Sequence, residues 1–446
     1  AIPSVQAERS SANAPFGLEV RRMLDQFLKD ASEMGFTTDD VDGYAGSAQM
    51  GEGQRTMGIL AHLDIVPAGD GWTHDPFEAT LKDGNLYGRG IADDKGPALA
   101  ALYAMRAVRE AGIPLKDSVR LIVGCDEETG MSDMHYYAKA RRMPDYGFSP
   151  DAEFPLINIE KGGLALRLSA VTDGETDARI PVYTLYAGIR QNVVPGAAFA
   201  EVGVQKVSVS EIKQALAPLS DADPRYRFTV SDIGGGRAKI EAFGEQGHAA
   251  MPEKGFNAAG ALLIALAKLE AGGGSRKPIE ALAHLLGVAY DGEALGIKQA
   301  DALSGPLTCN LGILRYDGSV LTAQLDIRYP LCADETSLCG NAVLSASAYG
   351  LSVLRTGGHT PLHVPAESDV VQGLLGVYKE LTGQTDAKPL AIGGGTYSRT
   401  MPNTVAFGIC FPGEVDTCHM PDEHVDVEKF MLSIRIMAHA IARLAG

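Results

Sequence analysis

The chain has 446 residues, 45% of them hydrophobic, and a formal net charge of −17 at pH 7. That length allows two or three domains with sizeable cores, the acidic balance argues against a nucleic-acid partner, which selects for basic patches, and no apolar run reaches the roughly 18 residues that span a membrane. The cysteines, Cys125, Cys309, Cys332, Cys339, Cys410 and Cys418, show no CxxC pairing and are sparse for this length, which fits reduced thiols and a cytoplasmic location.

The chain opens on AIPSVQAE, with neither an initiating Met nor a signal-peptide pattern, and a segment ahead of Ala1 is expected. PFGLEVRRMLDQFLKDASEMG reads as a helix, and strands are expected around GYAGSAQMG and MGILAHLD. In the second of these, His62 and Asp64 stand two apart, so on a strand both side chains leave one face. Asp64 can then orient the His62 ring, as carboxylates do behind metal-bound imidazoles; an isolated HxD is more often a surface turn or a satisfied core histidine. Trp72 and His74 are expected to pack the loop that follows. NLYG reads as a strand, and the turn GRGIADDKG carries Asp93 and Asp94 into the helix PALAALYAMRAVREAG, with Pro97 suited to its first turn. Acidic residues there also have a plain reading, as complements to the helix dipole. VRLIVGCDEETG is a buried strand whose C-terminal end delivers Glu127 and Glu128 into a turn, the place where ligand chemistry collects in an α/β sheet. Strand neighbours point apart, so one glutamate can bind metal while the other faces substrate; a solvated acidic turn reads the same way. Asp151 follows a proline in SPDAEFP, and His419 lies in DTCHMPDEH, ahead of an amphipathic helix over Val427 to Leu444.

Between IEKGG and RTGGH the pattern changes to strand-like alternation, in GLALRLSAV, AKIEAFGE and VLTAQLDIRYP, with a long helix at FNAAGALLIALAKLEAG. IGGGRAK and EAGGGSRK read as turns, because a phosphate loop needs GxxxxGK. The acidic and histidine strings lie before residue 152 and after 418, so the domain that unites them must be discontinuous. The expected organisation is an α/β catalytic domain over 1–162 and 358–446, its central mixed, mostly parallel sheet lying between helices, with an α+β lid inserted over 163–357.

Taken in order, AHLDIVP, GRGIADDKGP, CDEETG, SPDAEFP and CHMPDEH resemble the motifs of the aminoacylase, carboxypeptidase G and succinyl-diaminopimelate desuccinylase superfamily (metallopeptidase family twenty, clan MH). The wider strings HLDIVPAGDGWTHDPFEATLKDGNLYGRGIADDKGP, SPDAEFPLINIEKG and GGGTYSRTMPNTVAFG look most like its dipeptidase V and carnosinase branch, and the likeness covers nearly the whole chain. It implies two zinc ions, with manganese or cobalt as alternatives: His62 and Asp151 on one, Glu128 and His419 on the other, Asp93 bridging both, and Glu127 as general base. It also implies a cis peptide between Asp93 and Asp94, a costly non-proline feature. In the insert, the resemblance matches His248 to a lid histidine that stabilises the tetrahedral oxyanion. Asn192 and Arg328 match substrate contacts, the arginine gripping a terminal carboxylate through its planar fork, with Arg399 of GGGTYSRT assisting. By residue type alone these are a loop histidine, a turn asparagine and a strand-surface arginine.

The chemistry agrees with those roles. Nitrogen and oxygen ligands without a thiolate suit zinc, and manganese or cobalt less specifically. Two bridged cations activate water and polarise a carbonyl, and a glutamate beside them can pass the proton to the leaving amine. Cys418 reads as a small neighbour of His419 rather than a nucleophile. The expected activity is that of a dinuclear zinc dipeptidase on small peptides with a free C-terminal carboxylate and a free amine, β-Ala-Xaa and Xaa-His types among the candidates. The nearest alternative is an N-acyl-amino-acid deacylase or carboxypeptidase of the same superfamily. An inactive metal- or peptide-binding module is disfavoured by the presence of Glu127. The long insert can supply both halves of the surface that small-lid relatives obtain by dimerising, so a monomer with His248 acting in cis is the expected active unit.

Overall fold

The structure, a computed structural model, describes residues 2–174 and 177–446; Ala1 lies outside the described residues. The chain forms two compact units, Ala1–Ile159 with Leu362–Ala391 and Gly395–Gly446, and Glu160–Pro361 with Ile392–Gly394.

The first unit is an α/β structure on a nine-stranded sheet. At its centre the strands Ser118–Gly124, Thr56–His62, Tyr146–Ser149 and Thr404–Ala406 lie side by side in parallel. Antiparallel pairs flank them: Thr37–Val41 with Ala45–Met50 and the latter with Ser118–Gly124 on one side, Thr404–Ala406 with Ile157–Glu160 on the other. The sheet is therefore mixed, with its parallel character confined to the middle. That middle is covered on both faces, which is why MGILAH and VRLIVG read as nearly continuous apolar runs. Ile59, Ala61, Leu121 and Val123 pack among Leu24 and Phe27 of the helix Leu18–Glu33, Leu102 and Met105 of Lys95–Glu110, and Ile436 and Met437 of Val427–Ala445. Leu60 and Ile122, one residue out of phase, pack against Met134, Tyr137, Tyr397 and Met401.

Two helices of this unit escape a reading based on periodicity. Asp369–Thr382 is capped by the Ser368 side chain, which accepts the Val371 N–H, and ends at Gly383 in the left-handed region with φ 73°. Ser132–Ala140 is short, and its buried Asp133 serves the neighbouring turn rather than its own cap. Because the central strands run parallel, His62 and Gly124 end side by side. The loops that follow them leave from one edge of the sheet, where α/β folds place their chemistry.

The second unit is α+β. Its eight-stranded sheet runs in the order Arg227–Gly234, Arg237–Phe243, Ala197–Gly203, Val182–Ala187, Thr308–Tyr316, Val320–Tyr329, Gly162–Val171, Ser352–His359. Every one of these pairings is antiparallel. Burial alternates strictly along Val320–Tyr329, as one covered face requires. The helix Ala258–Lys268 supplies Leu262, Leu263 and Leu266 to that face and is capped by Asn257, whose side chain accepts the Ala259 and Gly260 N–H groups. Among the described residues no helix is long and apolar enough to cross a membrane.

Candidate metal centre

Four side chains of the first unit, His62 at the end of the strand Thr56–His62 and Glu128, Asp151 and His419 on three loops, gather around Asp93 on a fourth loop. Its Oδ1 lies 3.0 Å from His62 Nε2, which is 3.7 Å from Asp151 Oδ2. Its Oδ2 lies 2.9 Å from His419 Nε2, which is 3.1 Å from Glu128 Oε1. The ligand atoms of His62, Asp93 and Asp151 all lie within 4.8 Å of one another, as do those of Asp93, Glu128 and His419. One carboxylate thus presents a different oxygen to each of two groups. The peptide from Asp93 to Asp94 is cis, and His419 sits in the left-handed region at φ 64°, a conformation that a non-glycine residue holds at some cost.

A second set of carboxylates touches none of the candidate ligand atoms closely and instead receives main-chain N–H groups of the ligand-bearing loops. Asp64 Oδ1 and Oδ2 accept the N–H groups of Glu127 and Glu128, each at 3.2 Å. Asp64 thus serves these loops as well as the His62 ring, whose Nδ1 lies 3.0 Å from the Asp64 main-chain carbonyl and 3.5 Å from its carboxylate. Thr56–His62 ends at His62, so strand alternation does not extend to Asp64. Asp94 Oδ2 accepts the His62 N–H at 2.8 Å, and Asp133 Oδ2 accepts the Asp126 N–H at 2.8 Å and the Tyr397 hydroxyl. Glu423 Oε1 accepts N–H groups of Gly90, Ala92 and Asp93 at 3.0, 2.9 and 3.2 Å, and its Oε2 accepts Arg89 Nη1 at 2.6 Å. Gly90 itself has φ 84°, and a Cβ there would lie 2.5 Å from Lys95 Cε. Glu423, Arg89 and Gln6, whose Nε2 reaches Asp64 and Asp126, went unnoticed in the sequence; only the position of Glu423 inside CHMPDEH hinted at it.

The donor set suits a cation. A carbonyl can only accept, so His62 Nδ1 carries the proton of that hydrogen bond, and in the neutral ring Nε2 bears a lone pair. That nitrogen is buried, makes no well-directed hydrogen bond, and faces two carboxylate oxygens. Acceptor against acceptor is unfavourable unless a proton or a metal ion lies between them. In the protein alone, burial opposes charge on His62 but Asp64 and Asp93 outweigh it and hold its pKa well above the usual imidazole value. Burial also pushes Asp93 up, and His419 and His62 overcome it to hold this carboxyl well below the usual carboxylate range. Burial followed by repulsion from Asp93 raises Asp151 to about 7, while Asp93 and Glu128 raise His419 to about 10. Glu127 is pushed well above the ordinary glutamate value, first by burial and then by Asp151, Asp93 and Glu128, against the pull of His62.

The remaining candidates behave differently. In the second unit, Val193–Val194 pairs with Gly247–His248, and the Ala249 N–H donates to the Asn192 carbonyl at 2.9 Å, so Asn192 and His248 belong to one small loop assembly. The Ala250 N–H donates to His248 Nδ1 at 3.1 Å, which places the ring proton of the neutral form on Nε2. Arg328 pairs with Asp326 through Nε and Nη2, 2.6 and 2.9 Å, and its Nη1 donates to the Gly393 carbonyl at 3.1 Å. The fork expected to meet substrate is thus partly committed within the protein. In the first unit, Arg399 lies in the short helix Tyr397–Thr400 with its guanidinium against Gly395, where a Cβ would come within 1.0 Å of Nη2. Trp72 Nε1 donates to the Ala68 carbonyl and the Trp72 ring lies under Arg89, while His74 packs on Tyr87, so both residues pack their loop.

A family model described as peptidase family M20/M25/M40 matches residues 58–443. Over 448 residues the chain is 35% identical to a Bacillus subtilis (strain 168) protein provisionally named dipeptidase YtjP, covering 100% of this chain and 95% of that one. Over 443 residues it is 33% identical to the Beta-Ala-Xaa dipeptidase of Lactobacillus delbrueckii subsp. lactis, covering 99% and 93% of the two chains. An M20 family metallo-carboxypeptidase from Sulfolobus solfataricus shares the fold, with a TM-score of 0.57 at 16% identity over 99% of this chain and 96% of that one.

Proposed function

The chain belongs to peptidase family M20/M25/M40 and is a metal-dependent peptidase; on that premise we propose that it is a dinuclear zinc dipeptidase, with the first unit as its catalytic domain and the second as its lid. The observation that carries this reading is the division of the two Asp93 oxygens between the His62–Asp151 and Glu128–His419 groups. His62, Asp93, Asp151, Glu128 and His419 are the proposed ligands; manganese or cobalt fits the same nitrogen and oxygen donors. When bound, the cations supply Lewis acidity, acidifying water and polarising the scissile carbonyl.

The protein's own groups do the rest. Glu127, held through its main-chain N–H on Asp64, takes the proton from the attacking water and passes it to the amine as the carbon–nitrogen bond breaks. His248 donates Nε2–H to the carbonyl oxygen as charge collects there, and Asn192 hydrogen-bonds beside it. Three of the five N–H groups of a guanidinium are engaged in Arg328, one on each nitrogen. One N–H on each terminal nitrogen is left for a substrate carboxylate, with Arg399 assisting.

The substrate is a dipeptide with a free carboxylate and a free amine, and the name of the Lactobacillus relative makes β-Ala-Xaa peptides the first class to try. A cytoplasmic location completes the reading, supported by six unpaired cysteines. Metal analysis with a panel of dipeptides, tripeptides, amidated dipeptides and N-acyl amino acids tests it. Two metals per chain and a strong preference for free dipeptides are expected. Preference for N-acyl amino acids moves the enzyme to the deacylase branch, and a metal-free active preparation overturns the mechanism.

A further inference from the structure

Glu423 is four residues beyond His419 in sequence and wholly buried, yet it contacts the chain some 330 positions away. Three N–H groups, those of Gly90, Ala92 and Asp93, converge on its Oε1, and Arg89 holds its Oε2. The Glu423 carbonyl accepts the Gly88 N–H at 2.9 Å. Immediately beyond, His424, Val425 and Asp426 pair with Tyr87, Leu86 and Asn85. The loop bearing Asp93 is therefore joined to the end of the loop bearing His419 at Glu423 and through the strand pair that follows, and the Glu423 carboxylate closes the join at the residue that both ligand groups share. A carboxylate can bridge only if the backbone beneath it is fixed, because each oxygen must meet a different partner. Asp93 and Asp94 are both held: the Asp93 N–H donates to Glu423, and the Asp94 carboxylate accepts the His62 N–H.

We propose that Glu423 is the positioning residue of the bridging carboxylate, clamping the main chain at Asp93 to the loop that bears His419 so that the two ligand groups are set together. This rests on the dinuclear reading above. Glutamine at this position has one oxygen for two demands: if it faces the three amides, its NH2 meets the Arg89 donor, and if reversed, its NH2 meets the amides. Aspartate is a methylene too short to serve Arg89 and the loop at once.

The test uses full-length wild type, Glu423→Gln, Glu423→Asp and, for contrast, Glu128→Gln, each stripped with chelator and titrated with zinc and with cobalt(II). Cobalt absorption reports the ligand field, and circular dichroism of the stripped proteins reports folding. Both Glu423 variants are expected to keep the wild-type fold without metal and to lose affinity at both sites by about 10- to 100-fold, the range for residues that orient ligands, with an altered cobalt spectrum. Glu128→Gln is expected to weaken one site. Wild-type affinity in either folded variant, or a loss confined to one site, overturns the clamp alone. Stripped Glu423 variants that are unfolded where stripped wild type is folded also overturn it, since Glu423 then serves the fold and not the site. A wild-type protein that takes up no metal overturns the dinuclear reading and the clamp together.

Discussion

The two units hold their polar residues by different means. In the first, the side chains of His62, Glu128 and Asp93 are 1%, 8% and 12% exposed, with His419 at 49%, and their main chain is pinned through N–H groups by Asp64, Asp94 and Glu423. In the second, His248 is exposed on a two-residue ladder with Asn192 exposed just ahead of it, and Arg328, on a strand, is anchored by the Asp326 carboxylate and the Gly393 carbonyl. Buried carboxylates in this number repel one another and survive only where cations or protons compensate them; rigidity is what lets them all aim at the same two points. Asn192, His248 and Arg328, if they meet a changing substrate as proposed, need the reverse, donors with a defined tautomer or fork but room to engage.

That contrast can be broken experimentally. Chelation should abolish activity entirely, because all five proposed ligands lose their purpose at once, and zinc, manganese or cobalt should restore it. Substitution of Asp93 should cost both metals where substitution of His62 or His419 costs mainly one, as read by metal content after dialysis. Glu127→Gln should lower turnover by roughly 10² to 10⁴ with metal content intact, whereas Glu128→Gln should lower occupancy; the opposite pattern means their roles are exchanged. In the second unit, His248→Ala should lower kcat by about 10² to 10³, as loss of an oxyanion donor does, without touching the metals. Mixing it with Glu127→Gln chains should recover nothing if each chain is complete in itself; recovered activity would show that the histidine serves another subunit. Smallest, Arg328→Met should cost on the order of 10- to 100-fold in kcat/KM for a free dipeptide, the worth of a charged hydrogen bond, and much less for the amidated one. An unchanged preference between the two substrates would leave Arg328 a structural partner of Asp326.

Much of the first unit was legible because its chemistry is written in short strings. HLD, DDKG, DEE, PDAE and CHMPDEH each carry their residues within a turn of a strand end, and the alternation of strands with helices announces the sheet. What was hidden depends on distance. Nothing local marks Glu423 as the acceptor for the Asp93 loop, since its partners lie at Arg89–Asp93. Asp64 does more than its spacing from His62 announces: the strand ends at His62, and the Asp64 carboxylate also accepts the distant amides of Glu127 and Glu128. The helix Asp369–Thr382 was passed over although Ser368 and Gly383 bracket it with sound caps. The Arg328–Asp326 pair is visible as DIR, since residues two apart on a strand share one side of the sheet, and it commits part of the guanidinium within the protein.

The joining of Asn85–Tyr87 to His424–Asp426 has a consequence for biosynthesis. A chain emerging from the ribosome carries His62, Asp93, Glu128 and Asp151 long before His419 and Glu423 appear, and contacts so distant in sequence form late. On the proposed ligand set, the nascent protein then holds four of five ligands, with the Asp93 loop not yet joined to Glu423. On the same set, hydrolysis is expected only once His419 and Glu423 have been made, and fragments that stop short of them are expected to be inert.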